Sequence, residues 1–166
     1  MIVLGIDPGT ATTGFGILEK KGKQIKVLNY GCIITDPYFS DGERLKKINK
    51  EINNLIKKYN PDVISIESLY FFKNLKTAMP VSQAKGVILL AAANKKIPVF
   101  EFTPLQVKMA ITGYGKAEKN QVQKMIKKIL NLEEKPKDKN KRKDDASDAL
   151  GIALCYLLSE SKINLS

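Results

Sequence analysis

The apolar run DVISIE, from Asp62 to Glu67, is the segment that most restricts the fold of this chain. Its composition predicts a strand that is buried on both faces, which is typical of the interior of a parallel sheet. A helical pattern over residues 77–95 and a second strand pattern over 97–102 follow it. A strand, a helix and a strand in this order predict a crossover unit that joins two parallel strands.

Three further strands are predicted before this unit. Residues 2–6 are apolar and end in a turn at 7–9, and residues 14–19 and 25–35 form two more strand patterns joined by a polar turn. Short connections between successive strands predict an antiparallel meander. The expected fold is therefore α/β, with a mixed five-stranded sheet of three antiparallel strands followed by parallel ones.

Helical periodicity predicts the elements that flank this sheet. Apolar residues recur at helical spacing over 45–59, with lysines on the other side and Ser40 or Asp41 available as the cap. Two more helices are predicted over residues 117–130 and 145–159. With the helix of the crossover unit, they are sufficient to cover the sheet.

Length and composition favour one domain over residues 1–166, because 43% of the residues are apolar and 27% are charged. No apolar stretch approaches the roughly 20 residues of a membrane span, and the amino terminus lacks a signal-peptide pattern, so a cytoplasmic protein is expected. The absence of histidine excludes imidazole bases, Ser-His triads and histidine zinc sites. Cys32 and Cys155 have apolar neighbours and are expected to be buried thiols.

The charge of the chain is strongly unbalanced, with 28 Lys and Arg against 17 Asp and Glu and a formal charge of +11. Such an excess points to a polyanionic partner. Most of the lysines must be solvated surface, so phosphate contact is the minority interpretation for any one of them. Lys108 and Lys119 are better candidates, because they flank the loop 112–115, where backbone amides and a helix amino terminus could bind phosphate.

Acidic residues stand at predicted element ends in three distant segments. Asp7 follows the first strand, Glu67 ends the run DVISIE, and Asp145 and Asp148 open the last helix. Taken alone, Asp7 is more simply a turn residue. Asp145 and Asp148 could likewise be a helix cap and a first-turn acid. Glu67 is harder to explain without a cation, because its strand is expected to be buried.

Together, the four acids favour a metal site. The residues that follow Asp148 on its face of the helix are small or apolar, so its carboxylate is expected to point along the packed side. Hard divalent cations prefer carboxylate oxygens, and two such ions can activate water and stabilise a leaving oxygen without any histidine. With the basic charge, this pattern predicts a metal-dependent nuclease.

Five segments resemble the RuvC family of bacterial Holliday-junction resolvases, in the family's order and over nearly the whole chain. They are GIDPGTATTGFGIL, DVISIESLYF, QAKGVILLAA, TPLQVKMAITGYGKAEKNQV and DDASDALGIAL. The resemblance implies a ribonuclease H-like fold and a homodimer that makes paired nicks in a four-way DNA junction. It further implies Mg²⁺, with Mn²⁺ as a substitute and two ions per active site, and the branch-migration proteins RuvA and RuvB as partners in recombination and repair.

The resemblance also carries over residue roles. It assigns metal binding and catalysis to four acids: Asp7, Glu67, Asp145 and Asp148. The preceding Asp144 is expected to be an exposed neighbour or the helix cap.

Three further residues match DNA-binding positions of the family. Lys108 and Lys119 match basic residues that act near the scissile phosphate or on DNA, and Tyr70 matches the aromatic residue that stacks at the junction. A base can stack on such a ring for about 1 to 3 kcal/mol where the DNA is unpaired. The basic loop 135–143 is longer than the family's usual connector, so it has no role that the resemblance transfers.

Other functions compete with this interpretation. A strand followed by DxGT also opens the actin-like sugar kinases and chaperone ATPases, but those proteins need two such domains around a nucleotide, for which 166 residues are too few. A binding module without catalysis would need only the basic charge, with the acids as helix caps and turn residues. Ribonuclease H and the smaller Yqg relatives share the expected fold and differ from resolvases in substrate.

Overall fold

The computed structural model describes residues 1–68, 75–132 and 142–163, and for 75–77, 142–143 and 161–163 it describes the backbone alone. The described residues form five strands and five helices. The strands are β1 (Ile2–Asp7), β2 (Thr12–Lys21), β3 (Gln24–Ile34), β4 (Val63–Glu67) and β5 (Val99–Phe102). The helices are α1 (Asp41–Tyr59), α2 (Leu75–Asn94), α3 (Pro104–Thr112), α4 (Lys119–Ile129) and α5 (Arg142–Ile163).

The strands form one mixed sheet in the order β3-β2-β1-β4-β5. β1, β2 and β3 are antiparallel neighbours, whereas β4 is parallel to both β1 and β5. The predicted sheet is therefore confirmed. Because β1 and β4 are adjacent and parallel, with Ile6 opposite Ile66, their last residues Asp7 and Glu67 come to the same edge of the sheet.

Helices cover both faces of the sheet, and each face has its own core. On one face, α1 and α2 contribute buried residues such as Ile48, Ile52 and Ile88. On the other face, α4 and α5 contribute buried residues such as Ile126 and Leu154. The described parts of the chain contain no helix that is long and apolar enough to cross a membrane.

The contact between α5 and the sheet depends on glycines. A Cβ atom at Gly5 would overlap the carbonyl oxygen of Ala149, and one at Gly14 would overlap the carbonyl oxygen of Asp145. Gly16, which lies opposite Gly5 in the β1–β2 pair, would place a Cβ 2.8 Å from the backbone nitrogen of Leu150. Contacts this short are forbidden for carbon, so only glycine allows the helix backbone to lie directly on these strands.

Several boundaries differ from the sequence-based predictions. α1 begins after Ser40, whose hydroxyl caps Glu43 while the Glu43 carboxylate accepts from the Ser40 amide, so Ser40 and not Asp41 is the cap. α5 begins at Arg142, three residues before the predicted start. Cys155 is buried as expected, but Cys32 is only half-buried because β3 is an edge strand.

Helix α3 was not predicted. It begins after Thr103, whose hydroxyl accepts a hydrogen bond from the Gln106 amide while the Gln106 side chain accepts from the Thr103 amide. Such a capping box, with Pro104 at the first helical position, is a recognised start signal. The helix has only nine residues, and Leu105 and Met109 are exposed on it, so its apolar periodicity is weak.

Candidate active site

Four carboxylates from three elements meet at the edge of the sheet where β1 and β4 end. One carboxylate oxygen from each of Asp7, Asp145 and Asp148 lies within 4.8 Å of the others. The side chain of Glu67 is hydrogen-bonded to that of Asp7. The structure therefore brings together the four acids that the sequence singles out, and metal binding by them stays a prediction.

The backbone explains how α5 delivers its two aspartates to this place. Asp7 is paired with Gly14 across the β1–β2 ladder, and Gly14 contacts the backbone of Asp145 directly. Asp148 lies one helical turn further on, so it shares a side of α5 with Asp145. The close approach of α5 to β2 therefore determines how far the carboxylates of Asp145 and Asp148 lie from Asp7.

The electrostatic state of Asp7 shows how crowded this cluster is. Burial is the largest cause of a raised pKa at Asp7, and with repulsion by Glu67, Asp148 and Asp145 it brings this pKa to about 8. A carboxyl group with this pKa keeps its proton near neutral pH unless a cation replaces the proton. Asp7 therefore lacks compensating positive charge in the protein alone.

The neighbouring acids are shifted in the same direction. Burial raises the pKa of Glu67, repulsion by Asp148 raises it further, and the hydrogen bond with Asp7 and the charge of Lys119 oppose the change. Burial and repulsion by Asp148 also raise the pKa of Asp145. Asp7, Glu67 and Asp145 thus hold their protons to a higher pH than carboxyl groups in water do.

Among the described side chains, Lys119 is the cation that contacts the cluster. Its Nζ donates to Oδ2 of Asp148 at 2.9 Å and lies 3.9 Å from Oδ2 of Asp144. Burial alone would lower the pKa of Lys119, but the hydrogen bond to Asp148 and the nearby aspartates together raise it. Asp144 is therefore not the helix cap: it lies in the first turn of α5, half-exposed, and faces Lys119.

A cleft of about 290 Å³ opens beside these residues. Glu67 and Asp148 form its acidic side, and Lys108 and Lys119 also line it. Within the described parts of the chain, Lys108 forms no ion pair. Acidic and basic groups thus face the same space, as a site for a metal ion and a phosphate requires.

Hydrogen bonds hold the loop between α3 and α4 in place. The Thr112 hydroxyl donates to the carbonyl oxygen of Lys108 at 2.8 Å and accepts from the amide of Tyr114 at 3.1 Å. Gly113 ends α3 with a φ of 73°, a conformation that favours glycine. The loop therefore fixes the spacing of Lys108 and Lys119 along the cleft.

The donor set fits hard divalent cations. All four acids offer oxygen, the ligand type that Mg²⁺ and Mn²⁺ prefer, and they carry more negative charge than Lys119 can balance. Burial, together with repulsion by the other acids, raises the pKa of Asp7, and a bound cation would oppose both effects. The residues present therefore suit such ions.

Two predicted features lie outside the described residues. Tyr70, the expected stacking residue, falls between 68 and 75, and most of the basic loop 135–143 falls between 132 and 142. The expectations for them stay predictions.

Comparison with known proteins decides the family. A family model described as crossover junction endodeoxyribonuclease RuvC matches residues 3–156. The chain belongs to the RuvC family. A RuvC from Desulforamulus reducens is 51% identical over 156 residues, which cover 94% of this chain and 93% of that protein. One from Caldicellulosiruptor saccharolyticus is 48% identical over 164 residues, or 98% and 96% of the two chains.

Solved structures agree with this assignment. T. thermophilus RuvC in complex with Holliday junction substrate has a TM-score of 0.88 at 31% identity, over 98% of this chain and 96% of that one. The yeast mitochondrial Holliday junction resolvase Ydc2, at 16% identity and a TM-score of 0.71, supports the fold alone.

RuvC membership answers the question of enzyme class. The chain is a nuclease with a ribonuclease H-like fold, and the family's substrate is the crossover junction in DNA. The actin-like ATPase and the binding module without catalysis, both open from the residues alone, are therefore set aside. Divalent metal use is general for RuvC nucleases, and the carboxylate cluster of this chain is consistent with it.

Sequence reasoning missed the residues that hold the site together. The glycines at 5, 14 and 16 were not connected with α5, although three glycines on the first two strands of a sheet signal close backbone approach. The contact between Lys119 and Asp148 was also missed, because 29 residues separate them and no local pattern joins them.

Proposed function

We propose that two copies of this chain bind a four-way DNA junction symmetrically and that each hydrolyses one phosphodiester bond. The convergence of Asp7, Glu67, Asp145 and Asp148 beside a cleft lined by lysines carries this proposal. The formal charge of +11 suits a DNA substrate. Water is expected to displace the 3′ oxygen, so each nick should carry a 5′ phosphate.

The four acids are proposed to hold two divalent cations, with Mg²⁺ as the usual ion and Mn²⁺ as a substitute. When bound, such ions supply activation of the attacking water and stabilisation of the leaving oxygen. The acids determine where the ions would lie, because two of the acids stand at strand ends and two stand in the first turns of α5.

The two lysines of the cleft are proposed to bind the substrate phosphates. Lys108 is half-buried at the cleft and has no acidic partner among the described residues, so a phosphate oxygen would satisfy its charge. Lys119 forms an ion pair with Asp148. A bound cation would compete with Lys119 for this carboxylate, and the released ammonium group could then turn towards the phosphate. Tyr70 is proposed to stack on a base at the junction, by resemblance to the family.

The homodimer is proposed to form through an exposed face of α2. Residues at helical spacing are solvent-exposed along this helix: Met79, Gln83, Gly86, Leu90 and Ala93. Met79 and Leu90 are 67% and 58% exposed, which is unusual for large apolar side chains on one helix face. Gly86 and Ala93 would let a second helix approach closely.

A Leu90→Glu variant tests this interface. It is expected to sediment as a monomer and to lose paired cutting, while Lys57→Ala on the exposed side of α1 stays dimeric. A dimeric Leu90→Glu variant would place the interface elsewhere.

The remaining proposals follow the family. RuvA and RuvB are expected partners, residues 1–166 are expected to act as a single nuclease domain, and the protein is expected to work in the cytoplasm. The residues described above neither require nor oppose these expectations.

Product mapping tests the proposed function. Labelled four-way junction, linear duplex and RNA-DNA hybrid are each incubated with Mg²⁺, Mn²⁺ or Ca²⁺. Paired symmetric nicks in the junction, with 5′ phosphates, are expected in Mg²⁺ and Mn²⁺. Preferred degradation of the hybrid would favour a ribonuclease H, and absence of cutting with every ion would contradict the proposal.

A further inference from the structure

The loop that joins Asp7 to β2 is held by hydrogen bonds to three successive carbonyl groups. The Gly9 oxygen accepts from the Thr13 hydroxyl at 2.6 Å. The Thr10 oxygen accepts from the Thr35 hydroxyl at 2.5 Å, and the Ala11 oxygen accepts from the Thr35 amide at 3.1 Å. Two of these three bonds therefore come from Thr35, the residue that follows β3.

Arg44 determines how the Thr35 hydroxyl is used. Its Nε donates to Thr35 Oγ1 at 2.8 Å. A guanidinium has no acceptor, so the single hydroxyl proton of Thr35 must point to the Thr10 oxygen. A charged donor also polarises the hydroxyl and strengthens the bond that it donates.

This arrangement is buried and is separate from the acid cluster. Thr35 is 3% exposed and Thr10 is 9% exposed, so water cannot easily replace either bond. Within the described residues, Arg44 forms no ion pair, so hydrogen bonding rather than charge connects it to the site. It is carried on the first turn of α1, which a capping box fixes at Ser40.

The loop lies where a small displacement matters. Residues 8–11 connect Asp7 directly to Thr12, the first residue of β2, and the Asp7–Gly14 pair contacts α5 at Asp145. A loop of four residues that lost the bonds from Thr35 would gain freedom next to Asp7. A misplacement of about 1 Å in a catalytic group can cost about 100-fold in rate.

We propose that Arg44 is a positioning residue for junction cleavage, which acts through the Thr35 hydroxyl to fix the loop after Asp7. This inference rests on the proposed function of the acid cluster. Arg44 touches neither the substrate nor the metal ligands in this role.

The test compares variants that keep or remove the hydroxyl and the guanidinium. Thr35→Val and Arg44→Gln remove one member each, Thr35→Ser keeps the hydroxyl, and Lys47→Ala removes an exposed positive charge from the same helix. Junction cleavage is measured at saturating and limiting substrate in Mg²⁺, junction binding in Ca²⁺, and amide hydrogen exchange of residues 9–12 in metal-free protein. Each variant is first checked for a cooperative thermal transition.

Thr35→Val and Arg44→Gln are expected to lower kcat by about 10-fold to 100-fold, with KM and binding in Ca²⁺ within about twofold of wild type. Both should accelerate exchange of the loop amides. Thr35→Ser should keep most of the activity, and its loop amides should exchange as slowly as those of wild type. Lys47→Ala should match wild type in both measurements.

Several results would overturn the role of Arg44. A raised KM with unchanged kcat would make Arg44 a DNA contact, and a loss in Thr35→Ser equal to that in Thr35→Val would leave the hydroxyl without a role. Unchanged loop exchange in Arg44→Gln would also contradict it. If wild-type protein cuts no junction, the proposed function fails, but the exchange measurement still decides whether Arg44 orders the loop.

Discussion

On one face of the sheet, Ile48, Ile52 and Ile88 of the helices share a core with large side chains of β1 and β4, whereas on the other face the backbone of α5 lies on glycines of β1 and β2. Interdigitated side chains stabilise the fold and tolerate exchange of one apolar residue for another. A backbone contact tolerates no added atom. The first face therefore provides mainly stability, and the second provides mainly position for the acids.

Asp7→Asn should have the largest effect on activity. Loss of one proposed metal ligand is expected to reduce junction cleavage by roughly 1,000-fold, since metal sites contribute several kcal/mol to the transition state. Junction binding in Ca²⁺ should persist. Because burial and the neighbouring acids raise the pKa of Asp7 in the folded protein, the metal-free variant should also be more stable than wild type at neutral pH.

Asp41→Asn, at an exposed acid in the first turn of α1, is the matched control and should cut like wild type. Thermal melting in EDTA and gel assays of cleavage check both variants. Full activity of Asp7→Asn would remove the basis for the metal site.

Gly14→Ala tests the face of the sheet on which α5 lies. The new Cβ would overlap the carbonyl oxygen of Asp145, so α5 must move away from β2. We expect about 100-fold slower cleavage and a loss of about 3 kcal/mol of unfolding free energy. Gly42→Ala, where a Cβ would meet nothing within 4 Å, should leave both quantities nearly unchanged.

Ile52→Ala tests the other face. Ile52 is fully buried in the α1 side of the core, so its truncation should cost about 2 to 5 kcal/mol of unfolding free energy. Below its melting temperature, the variant should keep kcat within about threefold, because the acids are held from the opposite face. A loss of kcat as large as that of Gly14→Ala would show that the two faces do not differ in this way.

The pH dependence of stability should have a specific sign. The pKa of Asp7 is raised from 3.8 to about 8 in the folded protein, so the folded state holds a proton that the unfolded state releases between these values. Its stabilising contribution is present below pH 3.8 and is lost as pH rises through 8, with a slope of at most about 1.4 kcal/mol per pH unit. Differential scanning calorimetry in EDTA should show this slope. In Asp7→Asn, the part of the slope that comes from Asp7 should be absent.

Added Mg²⁺ should reverse the trend. Because a cation must displace the shared protons, Mg²⁺ should raise the melting temperature more at pH 8.5 than at pH 6. An equal shift at both values would indicate that the ion binds away from Asp7 and Glu67.

Local pattern was sufficient to predict most of the fold. The run 62–67 is apolar on both faces because β4 lies inside the sheet, and it needed no tertiary information to be recognised. The sequence also placed Asp7 and Glu67 at strand ends, but only the structure shows that β1 and β4 are parallel neighbours, which brings the two acids to one edge. The family resemblance then added the roles of Asp145 and Asp148, which periodicity alone could not separate from helix caps.

The rest depends on contacts between distant residues. Gly14 could be an ordinary strand residue or a contact with α5, depending on where that helix lies. The periodicity of neither segment predicts the position of the helix. The bond between Arg44 and Thr35 likewise joins a helix to a strand end through side chains that look solvent-facing in the sequence. The nine-residue α3 was missed because too few of its residues are buried to show a pattern, although Thr103 and Gln106 signal its start.

The glycines beneath α5 also limit how this enzyme can change. The separation of Asp145 from the sheet is set by the van der Waals radii of main-chain atoms, the least variable dimension that a protein has. Substitutions in the surrounding apolar residues can therefore make the protein more or less heat-resistant without altering the spacing of its acids. Redesign for a larger cation would have to begin by lifting the helix, not by exchanging the ligands.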